Sequence, residues 1–254
     1  MRKRCVLQAC AVALCVALLA VPSQAGTVKA YGPGGPAPAM KEASALFQKQ
    51  TGTEVQVTPG PTGNWLAKAK TDADIVFSGS ENMMLGFMAA FDGQIVSSTV
   101  EPLYLRPATL LVRKGNPKGI KGMRDLAKPG MTLLVTEGAG QVGMWEDVAG
   151  RTGDLALLKA VRRNIREFAA NSGLALQSWK DKPEIDAWLI WNHWQVANPD
   201  FADQVAVEPN LVIWRSSDVA LTERAKANAE AKAFVEFLKS PDAVAIFRKF
   251  GWSR

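Results

Sequence analysis

Cysteine is almost missing from this chain of 254 residues: its three cysteines, Cys5, Cys10 and Cys15, all lie within the first 15 residues. The first 25 residues have a basic start, an apolar run of 17 residues and a small-x-small end at Ala25, which together predict a cleaved signal peptide. An uncleaved membrane anchor is the alternative, but a spanning helix needs about 20 apolar residues. Cleavage after Ala25 leaves residues 26–254, which contain no cysteine for a disulfide, a thiolate metal site or a nucleophile.

Excess charge is also scarce in the expected mature chain. Loss of Arg2, Lys3 and Arg4 with the leader lowers the formal net charge from +6 to +3. The densest basic cluster that remains is residues 162–166, with three arginines, and we expect it to be a solvated helix end. A nucleic-acid partner is therefore not predicted.

Histidine occurs once, at His193, and the nucleophile motif Gly-x-Ser-x-Gly does not occur. A serine nucleophile at Ser78 or Ser80 would need His193 to reach it from the other half of the chain. The acidic residues form only short solvated pairs, which is a poor pattern for a site that binds a hard cation. We therefore expect a binding protein with no catalytic residue, no metal and no cofactor.

What the sequence does have is a repeated unit of strand, glycine-rich loop and helix. The hydrophobic pattern predicts such units in both halves of the chain, with strands at residues 28–31, 54–58, 74–77, 131–136, 165–169 and 185–190. Units of this kind build a parallel sheet flanked by helices, and their loops gather at the carboxyl ends of the strands.

Extended stretches without a following helix interrupt this pattern. Residues 101–113 are predicted to form a long crossing strand, and residues 205–207 and 211–215 a pair of returning strands. The sequence therefore predicts an α/β fold of two doubly wound lobes joined by two crossing strands, with a hinge and a cleft between them. The predicted boundaries are residues 26–104 with 208–254 for lobe 1 and residues 105–207 for lobe 2.

The strand-to-helix loops carry Gly, Ser, Thr or Asn at the starts of helices, where free N–H groups and the helix dipole favour an anion. In any one loop, a simple turn and helix cap is the better explanation. Loops from both lobes, however, could converge on one small anion. Arg106, inside the crossing strand, is either a ligand contact or a structural ion-pair partner. Trp191, at a strand end, could donate its indole N–H to a ligand.

Long segments of the chain resemble the accessory colonization factor C type of periplasmic solute-binding protein. They are residues 31–43, 60–84, 100–117, 137–154 and 185–200. That group is similar to the molybdate- and sulfate-binding components of ABC importers, so the resemblance implies the type II periplasmic binding fold. It also implies a monomer in the periplasm that hands a small anion, such as sulfate, molybdate or a small carboxylate, to an importer permease. Presentation of the bound ligand to a membrane receptor is the alternative.

By the order of the loops, the resemblance implies ligand contacts in six of them. The corresponding residues are Gly34, Gly35, Thr62, Gly63, Ser78, Ser80, Gly140, Gln141, Asn171, Ser172, Trp191 and Asn192. Gly34 and Gly35 stand where a serine is usual, and Trp191 stands where an aromatic hydroxyl is usual. Together with the charge of Arg106, these departures favour sulfate, a phosphorus oxyanion or a small organic acid over molybdate.

Overall fold

A computed structural model describes residues 26–254. The predicted signal peptide and all three cysteines lie outside the described residues. Within residues 26–254, no helix combines the length and the hydropathy that a membrane span requires.

The first half of the described chain contains three strands, each followed by a helix, as predicted. The strands are β1 (Val28–Gly32), β2 (Val55–Pro59) and β3 (Ile75–Phe77), and the helices are α1 (Ala37–Thr51), α2 (Thr62–Asp72) and α3 (Glu81–Ala90). Helix α1 ends at Gly52, whose φ of 80° is the left-handed conformation that glycine adopts without strain. Strand β1 pairs in parallel with both β2 and β3, so the three following loops lie at one edge of this sheet.

The long strand β4 (Glu101–Val112) confirms the predicted crossing strand. The second half then repeats the first, with β5 (Leu133–Thr136), β6 (Ile165–Ala169), β7 (Ala187–Trp191), α4 (Met144–Gly150), α5 (Leu155–Asn164), α6 (Ser172–Asp181) and α7 (His193–Ala197). Strand β5 is parallel to both β6 and β7. Helix α5 ends at the predicted arginine cluster, although Arg166 belongs to β6, and its start was not predicted. Asp154 accepts a hydrogen bond from the Leu157 N–H and so caps its first turn.

The returning strands differ from the prediction. They are β8 (Asp203–Ala206) and β9 (Trp214–Leu221), and they pair with β4 rather than with each other. Twelve residues make β4 long enough to take β9 along its first half and β7 and β8 along its second half. Helices α8 (Ala229–Phe237) and α9 (Pro241–Lys249) complete the chain, and Ser240 caps α9 as expected.

The sheet runs in the order β2-β1-β3-β9-β4-β7-β5-β6, with β8 added on β4. Each lobe has its own buried core, and the two largest buried clusters lie around Phe47, Phe77 and Phe234 in one lobe and around Leu110 and Val148 in the other. Burying side chains of this size contributes about 1.5–3 kcal/mol each. The two cores hold two α/β lobes, and the strand-to-helix loops of both lobes face the place where β4 passes between them.

Candidate functional site

Loops from both lobes line one cavity of about 640 Å³, which we call the cavity. The predicted site residues in its lining are Gly34, Gly35, Thr62, Arg106, Gly140, Gln141, Asn171 and Ser172. They come from the loops after β1, β2, β5 and β6 and from β4 itself. The convergence expected from the order of the units is therefore present in the structure.

Helices α1 and α2 begin at the cavity without a side-chain cap, as does the short helix α7. Helices α1 and α2 follow Pro36 and Pro61, neither of which can cap, and neither helix has an acidic residue in its first turn. In contrast, side chains cap α3, α5, α6, α8 and α9. The N–H groups of Gly34, Gly35 and Thr62 donate to no acceptor in the described part of the chain. These uncapped ends leave N–H donors and a positive dipole end for a bound anion.

Helix α6 adds donors from the other lobe. Asn171 caps this helix by accepting a hydrogen bond from the Leu174 N–H at 2.9 Å. The N–H groups of Ser172 and Gly173 precede that bond and have no acceptor among the described residues. Donors from α1, α2 and α6 therefore face the cavity from both lobes.

Among the described residues, Arg106 is the only cation in the lining of the cavity, and it is 3% exposed. It lies next to the point where the pairing of β4 changes, since β9 pairs with β4 up to Pro107 and β7 pairs with it from Ala108 onward. Its guanidinium carbon is 4.8 Å from the ring centroids of both Trp191 and Trp252, which is cation–π distance.

The guanidinium of Arg106 has few acceptors. Its Nη2 donates to the Gly79 carbonyl, and its Nη1 lies 3.0 Å and 3.2 Å from the two ring nitrogens of His193. Nε has no partner, and no carboxylate of the described residues lies within 4.0 Å of the group. An arginine has five N–H donors, so this charge is incompletely satisfied by the protein.

Two glycines make room for this arginine. A Cβ on Gly35 would lie 3.1 Å from Arg106 Nη1 and 3.2 Å from His193 Nε2. A Cβ on Gly79 would lie 3.1 Å from Arg106 Nη2. Any larger residue at either position would push the guanidinium away from its present place.

Burial sets the charge of the cavity. It lowers the pKa of Arg106 to about 9, an effect that the negative charge of Glu81 partly offsets, so the arginine is still protonated at neutral pH. Burial, and then the charge of Arg106, hold the pKa of His193 well below its ordinary value. His193 is therefore neutral and can accept a hydrogen bond from Arg106, which leaves one positive charge in the lining.

Five predicted residues lie outside the lining, and three of them follow β2 or β3 in lobe 1. Gly63 lies one position farther into α2 than Thr62. Ser78 is fully buried, and its hydroxyl bonds to Asp218. The hydroxyl of Ser80 accepts a hydrogen bond from the Met83 N–H and caps α3. The two serine hydroxyls expected at the ligand are thus used inside lobe 1.

Trp191 and Asn192 also differ from the expectation. The indole N–H of Trp191 donates to the Gly140 carbonyl at 3.1 Å, and its ring packs against Arg106. The amide of Asn192 donates to the Gly251 carbonyl at 2.6 Å. The next residue, His193, lines the cavity instead. The sequence signal for it was its place directly after a buried strand, and it stacks on Trp252 with 5.7 Å between ring centroids.

The geometry gives no support to hydrolysis by Ser80 and His193. The ring of His193 hydrogen-bonds Arg106, and the Ser80 hydroxyl is occupied by its helix. Among residues 26–254, no group of three or more His, Cys, Asp or Glu side chains is placed to hold a metal ion. The arrangement instead combines one buried cation with several neutral donors, a set that suits an anion.

Comparison with known proteins agrees with this chemistry. Residues 28–253 match the family model described as bacterial extracellular solute-binding protein. The crystal structure of Peb3 from Campylobacter jejuni is similar, with 40% sequence identity over 89% of this chain and 99% of that one and a TM-score of 0.82. Another Peb3 structure, with a TM-score of 0.83 and the same identity and coverage, contains L-phospholactate.

More distant structures show the fold alone. The periplasmic molybdate-binding protein of Azotobacter vinelandii is 19% identical, with a TM-score of 0.67 over 89% of this chain and 99% of that one. Together with the family match, it shows that the chain has the type II periplasmic binding fold. A search of functionally curated sequences gives no significant match.

Proposed function

The chain belongs to the family of bacterial extracellular solute-binding proteins, and we propose that its solute is a small anion held in the cavity beside Arg106. Arg106 carries the proposal. It is a buried cation with no carboxylate partner among the described residues, and helix ends from both lobes surround the same space. A buried charge is costly unless it is paired, and an anionic solute would supply the missing partner.

The size of the cavity favours an anion larger than sulfate or molybdate. A volume of about 640 Å³ lies in the range of pockets for small organic molecules, whereas a tetrahedral oxyanion would fill only a small part of it. The 40% identical Peb3 binds L-phospholactate. We therefore favour a small organic acid that carries a phosphate group, over the sulfate-like oxyanion that the sequence indicated.

We propose that the donors divide between the two ends of such a ligand. Arg106 would pair with one anionic group, while the N–H groups of Gly35, Thr62 and Ser172 would bind the other. Thr62 and Ser172 also bring hydroxyls. Neutral donors at several helix ends can hold a full negative charge without a second cation.

We further propose that the two lobes close around the solute by a hinge at the crossings and then deliver it to an ABC importer. The proposed boundaries are residues 26–104 with 208–254 and residues 105–207. One ion-pair group supports such closure, since Arg215 lies 2.7 Å from Asp147 on α4 and 3.9 Å from Glu81 on α3. Removal of residues 1–25 and action as a monomer in the periplasm belong to the same proposal.

Thermal unfolding of residues 26–254 tests the anion. The panel is L-phospholactate, inorganic phosphate, sulfate, molybdate and citrate, with glycerol as a neutral control. A ligand at 100 times its Kd adds about 2.7 kcal/mol to the free energy of unfolding. For a chain of this length, that raises Tm by about 5–10 °C.

We expect the largest rise with L-phospholactate and none with glycerol. If sulfate or phosphate raised Tm more than L-phospholactate, the anion proposal would stand and the preference for an organic acid would be rejected. The anion proposal fails if no anion raises Tm or if glycerol raises it equally.

A further inference from the structure

A second concave surface, which we call the basic groove, lies on the second half of the molecule. It has a volume of about 540 Å³ and is lined by Trp145, Leu158, Lys159, Arg162, Arg163, Ile165 and Arg166. The groove meets β6 at its first residues, whereas Ala170 and Asn171, which follow β6, line the cavity. The groove and the cavity therefore share no lining residue, so a partner in the groove and a solute in the cavity would occupy separate sites.

The four cations of the groove are exposed and lack counter-charges. No carboxylate of the described residues lies within 4.0 Å of Lys159, Arg162, Arg163 or Arg166, whereas Lys114, elsewhere on the surface, has Asp203 at 2.7 Å. Cations in the last turn of a helix stabilise it through the dipole, which accounts for the two arginines at the end of α5. The helix dipole does not explain Lys159, one turn earlier, or Arg166, which lies inside β6.

The floor of the groove is apolar and holds an unused donor. Trp145 is 9% exposed, and its indole N–H has no hydrogen-bond partner in the described part of the chain. Leu158 and Ile165 line the groove beside it. Buried indole N–H groups usually have a partner, so this one indicates an acceptor that an occupant would bring.

Strand β6 forms one end of the sheet, and β2 forms the other. Strand β6 pairs with β5 only, and no other described strand covers its outer edge. A free edge offers a row of backbone donors and acceptors to an added strand. A second copy of this edge would bring another Arg166, and the two like charges would repel each other. A strand of negative charge would instead be attracted to the edge.

From the basic rim, the apolar floor and the free edge, we propose that the groove binds an extended acidic segment of another protein, which adds as a strand beside β6. Its carboxylates would pair with Lys159 and the three arginines, and its apolar side chains would lie on Leu158 and Ile165. A small phosphate or sulfate group would use neither the floor nor the strand edge, so an extended peptide fits the groove better.

The test measures binding of a fluorescein-labelled peptide, five Asp-Val repeats, to residues 26–254 by fluorescence anisotropy. The triple variant R162Q/R163Q/R166Q removes three groove charges. The matched control K49Q/K232Q/R248Q removes three exposed charges from α1, α8 and α9. We expect the triple variant to raise Kd about tenfold and the control less than twofold, because exposed ion pairs contribute little each.

Trp145→Phe tests the indole donor in the floor of the groove. This variant keeps an aromatic ring and loses the N–H, and it should raise Kd about fivefold.

Three results would overturn the proposal. The first is equal binding by the triple variant and its control. The second is unchanged binding of a peptide N-methylated at every residue, which has no N–H group on either edge to donate to β6. The third is tighter binding of heparin than of the peptide, lost in the same triple variant, which would assign the groove to a sulfated polysaccharide. Unchanged Tm and unchanged affinity for the cavity anion in the triple variant would exclude misfolding as the cause.

Discussion

Arg106 and Arg113 come from the same stretch of chain and have opposite surroundings. Arg113, just after β4, stacks on the Trp179 ring at 3.8 Å and donates to the carbonyls of Ile185, Trp179 and Lys182 at 2.6–2.8 Å. Two of those carbonyls belong to the end of α6, where a cation is favourable. Arg106 also stacks on tryptophan, but it is more deeply buried and keeps an unpartnered Nε.

The difference separates a structural arginine from the arginine that we propose binds the anion. The charge of Arg113 is satisfied by the fold, so its role is to hold β4, β7 and α6 together. The fold positions Arg106 precisely but leaves its charge open to the cavity. A tryptophan contact alone would not distinguish the two roles, whereas the count of acceptors around each guanidinium does.

Arg106→Met should have the largest effect and should act in two directions. The affinity for the cavity anion should fall at least 100-fold, because truncating one partner of a buried charge pair costs about 2–5 kcal/mol. The free energy of unfolding without ligand should rise by about 1–3 kcal/mol, since the buried unpaired charge is gone. Calorimetric titration and urea denaturation measure the two quantities. A variant that is less stable without ligand would show that Arg106 is as structural as Arg113.

Arg113→Met is the matched substitution and should do the reverse. It leaves three carbonyls without their donor, so the free energy of unfolding should fall by about 2–3 kcal/mol. The affinity of the folded protein for the anion should change less than threefold, measured by the same titration. Loss of binding in a folded Arg113→Met protein would contradict the separation of roles.

The pH dependence should belong to Arg106 alone. Its pKa of about 9 in the fold is below its ordinary value, and a bound anion favours the protonated form. After correction for the second ionisation of the ligand's phosphate group, which lies near pH 6, affinity should therefore be constant from pH 6 to 8 and fall above pH 9, by up to tenfold per unit. Because the unfolded chain keeps its proton longer, the stability advantage of Arg106→Met should shrink over the same range. A step in affinity near pH 6.5 would instead implicate His193, whose pKa burial holds far below that value.

The smallest effects should come from the hydroxyls. Thr62→Val and Ser172→Ala each remove one neutral donor from the lining, and each should weaken anion binding about fivefold, which corresponds to about 1 kcal/mol. Ser78→Ala is the control, since its hydroxyl bonds to buried Asp218 outside the lining. It should lower the free energy of unfolding by about 1–2 kcal/mol and leave the anion Kd unchanged. Equal effects of all three variants on Kd would place Ser78 among the ligand contacts.

Most of the fold could be predicted because its signals are local. Alternation and 3.6-residue spacing reported the parallel strands and their helices, and the Ser240 cap marked the start of α9. The partners of β8 and β9 could not be predicted in this way. Strand pairing depends on the length of β4 and on its passage between the lobes, and neither β8 nor β9 carries a local signal for its neighbour.

The site residues also divide into those that local sequence signals predict and those that depend on partners distant in sequence. Gly35, Thr62 and Asn171 were predictable because loop order in a parallel sheet fixes which loops meet. Ser78 and Trp191 were not, since whether a hydroxyl or an indole is free depends on a partner distant in sequence, here Asp218 and the Gly140 carbonyl. For Arg106, the sequence left two roles open, and its small number of acceptors, with Nε unpartnered among the described residues, favours one of them.

A guanidinium that the fold leaves without a counter-ion will rarely stay alone in solution. If the cavity binds an anion as proposed, phosphate, sulfate or citrate from a purification buffer is expected to occupy it beside Arg106 and the uncapped helix ends. Titrations in such buffers then report exchange of one anion for another, and the apparent affinity drops in proportion to the occupancy by the first. Unfolding and refolding in a chloride-only or zwitterionic buffer is therefore the preparation from which intrinsic affinities should be measured.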